Sequence, residues 1–411
     1  MSDPERTLRV DRRRFLQLLG AAALAREARA ATSLRVVVAG AGIVGASIAF
    51  HLARSGASVK VIDREGPATH ASRASFAWIN ATWSKQPHSY HRLNQAGVQR
   101  WKTLQPLLNL PLRWGGSLEG NADASLEAEL VRRVAEQRDW GEQTRLVGSA
   151  ELSELEPNVD FSGLRQVIHS ANDGATDPVA ATHAFLGAAV ALGAQVEHPC
   201  ELTGVGMSAG RLVRVQTSRG EIPADRLVLA TGAAADAGKM FADWDVPLRE
   251  APGATALTSP MARLVHRVLW MPGVHVHQRD DGRIVLGEEA GPPQDEAHAL
   301  RLHEHPDDFP AREIALQHAE RMRAAAQSFL PGLQRAEFEG ARICWRPMPL
   351  DGYPVLGVSP ARPDTYLAVT HSGVTLAPII GELVAQEIVD GLRADLLKEF
   401  RPDRRFRELA P

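Results

Sequence analysis

One stretch near the start of the chain constrains the fold more than any other. Residues 34–39 (LRVVVA) form a β-branched apolar run that predicts a buried parallel strand. The turn GAGIVG at 40–45 follows, and then a helical pattern that Gly56 is predicted to stop. A second apolar strand spans 59–63 and ends in Asp63. This order of strand, turn, helix, strand and acidic residue predicts a Rossmann-like α/β unit.

Each residue type in this unit has a physical role in binding a nucleotide. Gly40 permits the tight turn, Gly42 lets the backbone approach a pyrophosphate, and Gly45 lets the helix pack on the strand. The free N–H groups at the helix start face the phosphates, and Asp63 is placed to accept the ribose 2′-hydroxyl. The unit therefore predicts a dinucleotide site, with a structural turn without ligand as the alternative.

The first 31 residues predict an export signal. Arginines, three of them consecutive at 12–14, precede a short apolar run at 15–25 and an A-x-A-like cleavage site at 28–30. The apolar run is too short to span a bilayer, which needs about 20 apolar residues. The arginines followed by Phe15 and Leu16 resemble the twin-arginine signal, a receptor-read address. We expect a periplasmic protein whose residues 12–30 contact the export machinery; the alternative is an amphipathic N-terminal helix.

The composition is typical of a globular enzyme of two or three domains. The chain has 411 residues and a net charge of −3 with interspersed signs, which does not indicate a nucleic-acid partner. Two cysteines exclude a disulfide framework. His275 and His277 lie two apart in a hairpin with an Asp-Gly turn, so both should face one side of the strand. Without a nearby third ligand, a polar sheet face is favoured over a metal pair, and no metal site is predicted.

Five further segments of the chain carry recognisable motifs. They are DGATDPVAATHAFLGAAVALGAQV (173–196), LVLATGA (227–233), RPMPLDGYPVLG (346–357), HSGVTLAP (371–378) and FRPDRRF (400–406). With the N-terminal unit, they resemble the FAD-dependent amine and amino-acid oxidoreductases, which include D-amino-acid oxidase and dehydrogenase, glycine oxidase and sarcosine oxidase. The resemblance implies FAD as cofactor. It also implies a Rossmann-like FAD-binding domain with an inserted α+β substrate domain on a mixed or antiparallel sheet.

The same resemblance implies discontinuous domains. The FAD-binding domain would comprise 34–85, 170–247 and 338–395. The substrate domain would comprise 86–169 and 248–337, and residues 396–411 would form a C-terminal tail.

The resemblance also implies a set of cofactor contacts. They are Gly40, Gly42, Ile43, Val44 and Gly45 at the pyrophosphate, Asp63 and Arg64 at the adenosine, Ser72, Ala74 and Ser75 beside the diphosphate and flavin, Leu202 at the adenine, Gly232 at a second contact, and Gly373, Val374 and Thr375 at the pyrimidine edge of the flavin. The helix that begins near Gly373 would stabilise negative charge on the reduced ring.

Arg346 is the residue that the resemblance assigns to the substrate. In the amino-acid oxidases, the arginine of this block binds the substrate carboxylate, and a planar guanidinium suits that task because it donates two parallel hydrogen bonds. The alternative is a structural ion pair.

Five further positions bear on the chemistry. Thr375 stands where sarcosine-oxidase-like members have a lysine, which puts their oxygen activation in doubt. Cys344 stands where such enzymes bond covalently to the flavin, with an inert buried thiol as the alternative. Trp78, Trp83 and Trp345 either line a flavin face or fill the core, and Trp345 adjoins Arg346.

The function implied is oxidation of the C–N bond of an amino acid or N-alkyl amino acid of the D-amino-acid, glycine or sarcosine type. Hydride would pass to flavin N5, and the imine product would be hydrolysed. The electron acceptor, oxygen or a quinone, is left open. The alternatives are an exported FAD-binding accessory protein without amine turnover, and an NADPH-dependent hydroxylase. The hydroxylase is disfavoured because no second G-x-G-x-x-G follows a strand.

Overall fold

The computed structural model of the chain describes residues 33–82, 85–234, 236–288 and 311–407. The predicted export signal and Trp83 therefore lie outside the described residues.

The described strands are β1 (Arg35–Ala39), β2 (Ser58–Ile62), β3 (Trp78–Ile79), β4 (Leu112–Trp114), β5 (Ser117–Asn121), β6 (Thr144–Leu146), β7 (Gln166–Ser170), β8 (Gly174–Thr176), β9 (Gln195–Glu197), β10 (Leu202–Ser208), β11 (Arg211–Thr217), β12 (Gly220–Pro223), β13 (Arg226–Leu229), β14 (Leu248–Arg249), β15 (Pro252–Thr258), β16 (Val268–Met271), β17 (Val274–Gln278), β18 (Ile284–Glu288), β19 (Phe338–Trp345), β20 (Met348–Pro349), β21 (Val355–Val358) and β22 (Thr365–Val369). The described α-helices are α1 (Ile43–Arg54), α2 (His88–Leu108), α3 (Glu127–Asp139), α4 (Ser149–Leu155), α5 (Pro178–Ala191), α6 (Ala237–Ala242), α7 (Arg312–Gln327) and α8 (Gly373–Ala385).

A six-stranded sheet forms the centre of the first unit. Its order is β21-β22-β13-β1-β2-β9, and all pairs are parallel except β21 with β22. β1 pairs on both sides, Val38 lying opposite Val61 and Val228, and residues 36–39 are buried. Helices α5 and α8 pack on α1, and α2 packs on α8, in the largest apolar cluster. This architecture confirms the predicted parallel strand and the Rossmann-like unit.

An eight-stranded sheet forms the centre of the second unit. Its order is β19-β15-β18-β17-β16-β5-β7-β6, antiparallel except for the parallel pair β16 and β5. Helix α7 packs on this sheet through Ala315, Ala319 and Met322 in a separate apolar cluster. The sheet confirms the predicted α+β unit with a mixed sheet. Two elements bear on the predicted domain limits. The edge strand β19, which the prediction placed in the FAD-binding domain, belongs to this second sheet, and α2, which it placed in the substrate domain, packs on α8 in the first unit. The domain limits themselves stay a prediction.

Glycines end two of the predicted helices. Gly56, with φ +90°, follows α1, and Gly391, with φ +69°, follows a π-helical turn that continues α8. Glycine adopts this left-handed conformation without the Cβ penalty of other residues. Among the described residues, no helix has both the length and the apolar character to cross a membrane.

Candidate functional site

The glycine turn between β1 and α1 fits closely against neighbouring backbone. Gly40 has φ +109°, and a Cβ added there would lie 2.2 Å from the carbonyl oxygen of Ala230. A Cβ added at Gly45 would lie 2.0 Å from the carbonyl oxygen of Gly40, whereas at Gly42 the nearest atom is Ser72 Oγ at 3.2 Å. Any side chain at Gly40 or Gly45 would displace the turn, so these two glycines are structurally required for the cradle.

Hydrogen bonds hold the loops around the turn. Asp63 Oδ2 accepts from the Ala41 N–H at 2.8 Å, and Ser72 Oγ accepts from the Ile43 N–H at 3.0 Å. The Cys200 N–H donates to the Asp63 carbonyl at 2.7 Å, which brings the chain entering β10 at Leu202 to the end of β2. The residues assigned from the resemblance to pyrophosphate, ribose and adenine thus lie in contacting segments.

Other predicted contact residues surround the same region. Arg64 is exposed and pairs with Glu65 at 3.2 Å, and Gly232 follows β13 with φ +62°. The loop holding Ala74 and Ser75 is tied to the second sheet, because Thr255 donates to the Ala74 carbonyl at 3.1 Å. The loop therefore joins the two sheets.

The N-termini of two helices converge here. A Cβ added at Gly373, the first residue of α8, would lie 3.2 Å from Val44 Cγ2 in the first turn of α1. Neither Gly42 nor Ser372, the residues before the two helices, caps its helix with a side-chain hydrogen bond. Helix N-termini carry partial positive charge and unpaired N–H groups, so together they can bind an anionic ligand such as a diphosphate.

Thr375 has a structural bridging role. Its hydroxyl donates to the Trp78 carbonyl and accepts from the Asn80 N–H, both at 3.2 Å. A Cβ at Gly97 in α2 would approach the Thr375 carbonyl to 2.5 Å. The Val374 carbonyl accepts from Trp101 Nε1 at 2.9 Å. A lysine in place of Thr375 would lose both side-chain bonds and would have to enter a buried site.

Arg346 lies at the end of β19 and is oriented by backbone oxygens. Its Nε donates to the Ala251 carbonyl at 3.1 Å and its Nη2 to the Pro252 carbonyl at 2.9 Å. Burial, followed by the charge of Arg346, lowers the pKa of His275 to about 4 and that of His371 to about 3. The two imidazoles are therefore neutral at pH 7 and lie within the electrostatic reach of one guanidinium.

Aromatic rings form a wall beside Arg346. The ring centroids of Trp270 and His275 are 4.0 Å apart, and those of Trp78 and Trp270 are 5.3 Å apart. The ring centroid of Phe76 lies 5.6 Å from that of His275 and 4.9 Å from that of His277. The two histidines share a side of β17, as predicted. The prediction of a polar sheet face is wrong, because Phe76 and Trp270 cover that side and His277 is buried.

A lysine that the sequence did not single out also reaches this region. Lys85 Nζ lies 3.5 Å from Ser372 Oγ, which is in turn 2.7 Å from the Tyr90 hydroxyl and 3.5 Å from His371 Nδ1. Asp173, fully buried, accepts from Ser117 and contributes an attractive charge to Lys85. Lys85 is 287 positions from Ser372 in sequence, so no local spacing could have linked them.

Two other predicted features can be placed in part. Trp345 is buried against Ile343 and Ala233, next to Gly232. The side chain of Cys344 lies outside the described part of the structure. Among the described residues, no three histidine, cysteine, aspartate or glutamate side chains are grouped to hold a metal ion.

Comparisons with known proteins agree with this geometry. Residues 35–387 match the family described as FAD dependent oxidoreductase (DAO). Glycine oxidase from Bacillus licheniformis is 26% identical over 385 residues, which cover 90% of this chain and 97% of the relative. One of the subunits of opine oxidase from Agrobacterium tumefaciens (strain Ach5) is 27% identical over 390 residues, with coverage of 90% and 97%. The crystal structure of L-proline dehydrogenase from P. horikoshii superposes with a TM-score of 0.78 at 24% identity, covering 90% of this chain and 97% of that one, which shows a shared fold.

Proposed function

The chain belongs to the FAD-dependent oxidoreductase (DAO) family, and we propose that it oxidises the C–N bond of an amino acid or N-alkyl amino acid whose carboxylate is bound by Arg346. The protein is an FAD-dependent enzyme of the amino-acid and amine oxidase type. The observation that carries the finer proposal is that Arg346, at the end of β19, is oriented by two backbone carbonyls and its charge acts on His275 and His371.

The described residues fit FAD. The cradle at Gly40 and Gly45 admits no side chain, and the N-termini of α1 and α8, neither of which is capped by the residue before it, meet beside it. We assign the diphosphate to residues 40–45 with Ser72, and the pyrimidine edge of the flavin to the start of α8. FAD, when bound, supplies the acceptor for the hydride that leaves the carbon next to the amine nitrogen.

Arg346 would fix the substrate by its carboxylate. Its guanidinium donates to two backbone carbonyl oxygens, which orient the group. Charge-assisted hydrogen bonds to a carboxylate are roughly twice as strong as neutral ones, and positioning of this kind lowers the barrier to the next step.

The charges around the site also favour the reactive form of the amine. Hydride leaves most readily from a carbon next to a neutral amine. Burial, followed by the charges of Arg346, Lys85 and Arg249, lowers the pKa of His371, and these three charges are all positive. Their field disfavours an ammonium, so the substrate would lose its proton without a dedicated carboxylate base. His275 Nδ1 is buried and has no hydrogen-bond partner among the described residues.

Anaerobic bleaching of the flavin absorbance tests the proposal. The panel comprises D- and L-amino acids, glycine, proline and N-methyl amino acids. We expect at least one of them to bleach the wild-type flavin, and Arg346→Met to lower kcat/KM for it by about 100-fold or more. The exposed Arg219→Met variant is the matched control. A yellow protein that no member of the panel bleaches would contradict the proposal and would favour an accessory flavoprotein.

We also propose that the enzyme is exported to the periplasm. The support is the arginine-rich start at 12–14, its apolar run and the cleavage-like site at 28–30. A flavoenzyme that acquires its cofactor while it folds in the cytoplasm suits a route that carries folded proteins.

A further inference from the structure

Lys85 combines a deep location with access to solvent. Its ammonium is surrounded by protein, and burial lowers its pKa to about 8, yet the residue keeps part of its surface exposed. His275 and His371 show the same combination of deep surroundings and partial exposure, and Arg346 is also partly exposed. Such side chains are enclosed by protein but can still be reached from outside it.

The charge of Lys85 is not matched by an adjacent carboxylate. Among the described residues, no carboxylate oxygen lies within 4.0 Å of its Nζ, and its hydrogen bond is to the neutral Ser372 hydroxyl at 3.5 Å. Asp173 attracts it from farther away, but Asp173 Oδ2 already accepts three hydrogen bonds from other groups. A cation held away from bulk water is stable when an anion completes its environment.

The charges of Lys85 and Arg346 both act on His371. Ser372 Oγ connects Lys85 Nζ to His371 Nδ1 through two contacts of 3.5 Å each. Arg346 reaches the same imidazole electrostatically, and so does Arg249, which is exposed next to Met348 in the β14–β20 pair. The described charged groups that shift the pKa of His371 are thus all positive, and a carboxylate bound by Arg346 would leave the charge of Lys85 to a second anion.

We infer that Lys85 forms a second anion subsite, so that the preferred substrate carries two acidic groups, one bound by Arg346 and one by Lys85. This inference rests on the proposed function, because it takes Arg346 as the site of the first carboxylate. It names the substrate class as N-substituted amino acids with a second carboxylate on the N-substituent or side chain.

Two matched pairs of compounds test the inference on the FAD-loaded enzyme. N-Carboxymethylglycine and N-ethylglycine differ only in the second carboxylate and report on turnover by flavin bleaching. Glutarate and valerate have the same chain lengths, cannot be oxidised at a C–N bond, and report on binding alone through the shift of the flavin absorbance.

We expect the wild-type enzyme to bind glutarate at least 10-fold more tightly than valerate, and to prefer N-carboxymethylglycine by a similar factor. Lys85→Met, which removes the charge but keeps the length of the side chain, should abolish both preferences and leave valerate binding within about 3-fold. Lys85→Arg should retain most of each preference. Lys398→Met, on the exposed surface, is the control and should behave as wild type.

The outcomes separate this inference from the proposed function. Equal binding of glutarate and valerate by the wild type would overturn the inference even if Lys85→Met did not fold. A preference that survives in Lys85→Met would also overturn it. If N-ethylglycine and N-carboxymethylglycine both bleach the flavin equally well, the second subsite fails but amine oxidation stands. If neither bleaches it while glutarate binding still depends on Lys85, the subsite stands and turnover of these amines fails.

Discussion

Asp173→Asn tests the electrostatics of the region beneath the candidate site. Asp173 is fully buried, and Oδ2 accepts hydrogen bonds from Ser117 at 2.7 Å, Thr82 at 2.8 Å and Trp78 at 3.2 Å. Its other oxygen, Oδ1, has no hydrogen-bond partner among the described residues. Burial, only partly offset by these bonds, raises the pKa of the carboxyl group from 3.8 to about 7. Asparagine has the shape of the protonated acid and does not titrate.

The sign of the pH effect follows from proton binding. Between pH 3.8 and about 7, the native protein binds a proton at Asp173 that the unfolded chain has released. The free energy of unfolding therefore falls as the pH rises through this window, by about 1.4 kcal/mol per pH unit. The slope halves at pH 7, where the native carboxyl group is half-protonated, so from pH 5 to pH 7 the wild type should lose about 2 kcal/mol that the variant keeps. For a chain of this length, that corresponds to about 2–3 °C in the unfolding midpoint.

The measurement is the thermal unfolding midpoint of both proteins at half-unit steps from pH 5 to pH 7.5, with tryptophan fluorescence as the signal that reports unfolding. We expect the midpoint of Asp173→Asn minus that of wild type to grow by about 2–3 °C up to pH 7 and then to level off. The contribution of Glu156, whose pKa is also raised to about 7, cancels because both proteins contain it. Any fixed cost of the asparagine amide cancels in the same way. A difference that stays constant or shrinks with rising pH would refute the reasoning, since it would mean that Asp173 is ionised throughout.

The remaining predictions concern the cofactor cradle, the α8 bridge and export. Gly40→Ala should yield protein without flavin absorbance, because its Cβ would lie 2.2 Å from the Ala230 carbonyl oxygen. Gly187→Ala, with open space around the new Cβ, should stay yellow. A yellow Gly40→Ala protein would contradict the assignment of the cofactor cradle to this turn. Thr375→Val should lower the free energy of unfolding by about 1–3 kcal/mol in urea titrations. The reason is that the variant leaves the Trp78 carbonyl in β3 and the Asn80 N–H just after it without their side-chain partner. An unchanged urea midpoint would show that the bridge contributes little to stability. Replacing all three arginines at 12–14 by lysine should leave the protein in the cytoplasmic fraction with its flavin bound, and undiminished export would contradict the twin-arginine interpretation.

The part of the fold that the sequence predicted is local. The unit from 34 to 63 could be predicted because each of its signals, β-branched strand, glycine turn and helix stop, is a property of adjacent residues. The structure confirms its strands and helix within a residue or two. The Asp-Gly hairpin of β17 and β18 is predictable for the same reason, because its turn chemistry lies between the two strands.

The parts that the sequence missed depend on contacts between distant segments. The periodicity of β17 placed His275 and His277 on one side but could not show that Phe76, about 200 positions earlier, covers that side. Likewise, Asp173 is linked to Thr82 and Ser117 across 91 and 56 positions. Alternation tells which residues share a face, and only the tertiary fold decides whether that face meets water or another chain segment.

The lysine missing from the C-terminal loop has a physical explanation in the start of α8. Thr375 must bridge to β3, and a lysine there would leave the Trp78 carbonyl and the Asn80 N–H unpaired in a buried place. A cation is nevertheless present at this helix start, because Lys85 reaches Ser372 from the segment before α2. The helix N-terminus already carries partial positive charge, so this ammonium adds to a field that favours bound anions. Selection among amines in this enzyme would then depend on a residue far from the loop in sequence, and a search confined to the C-terminal motif would not find it.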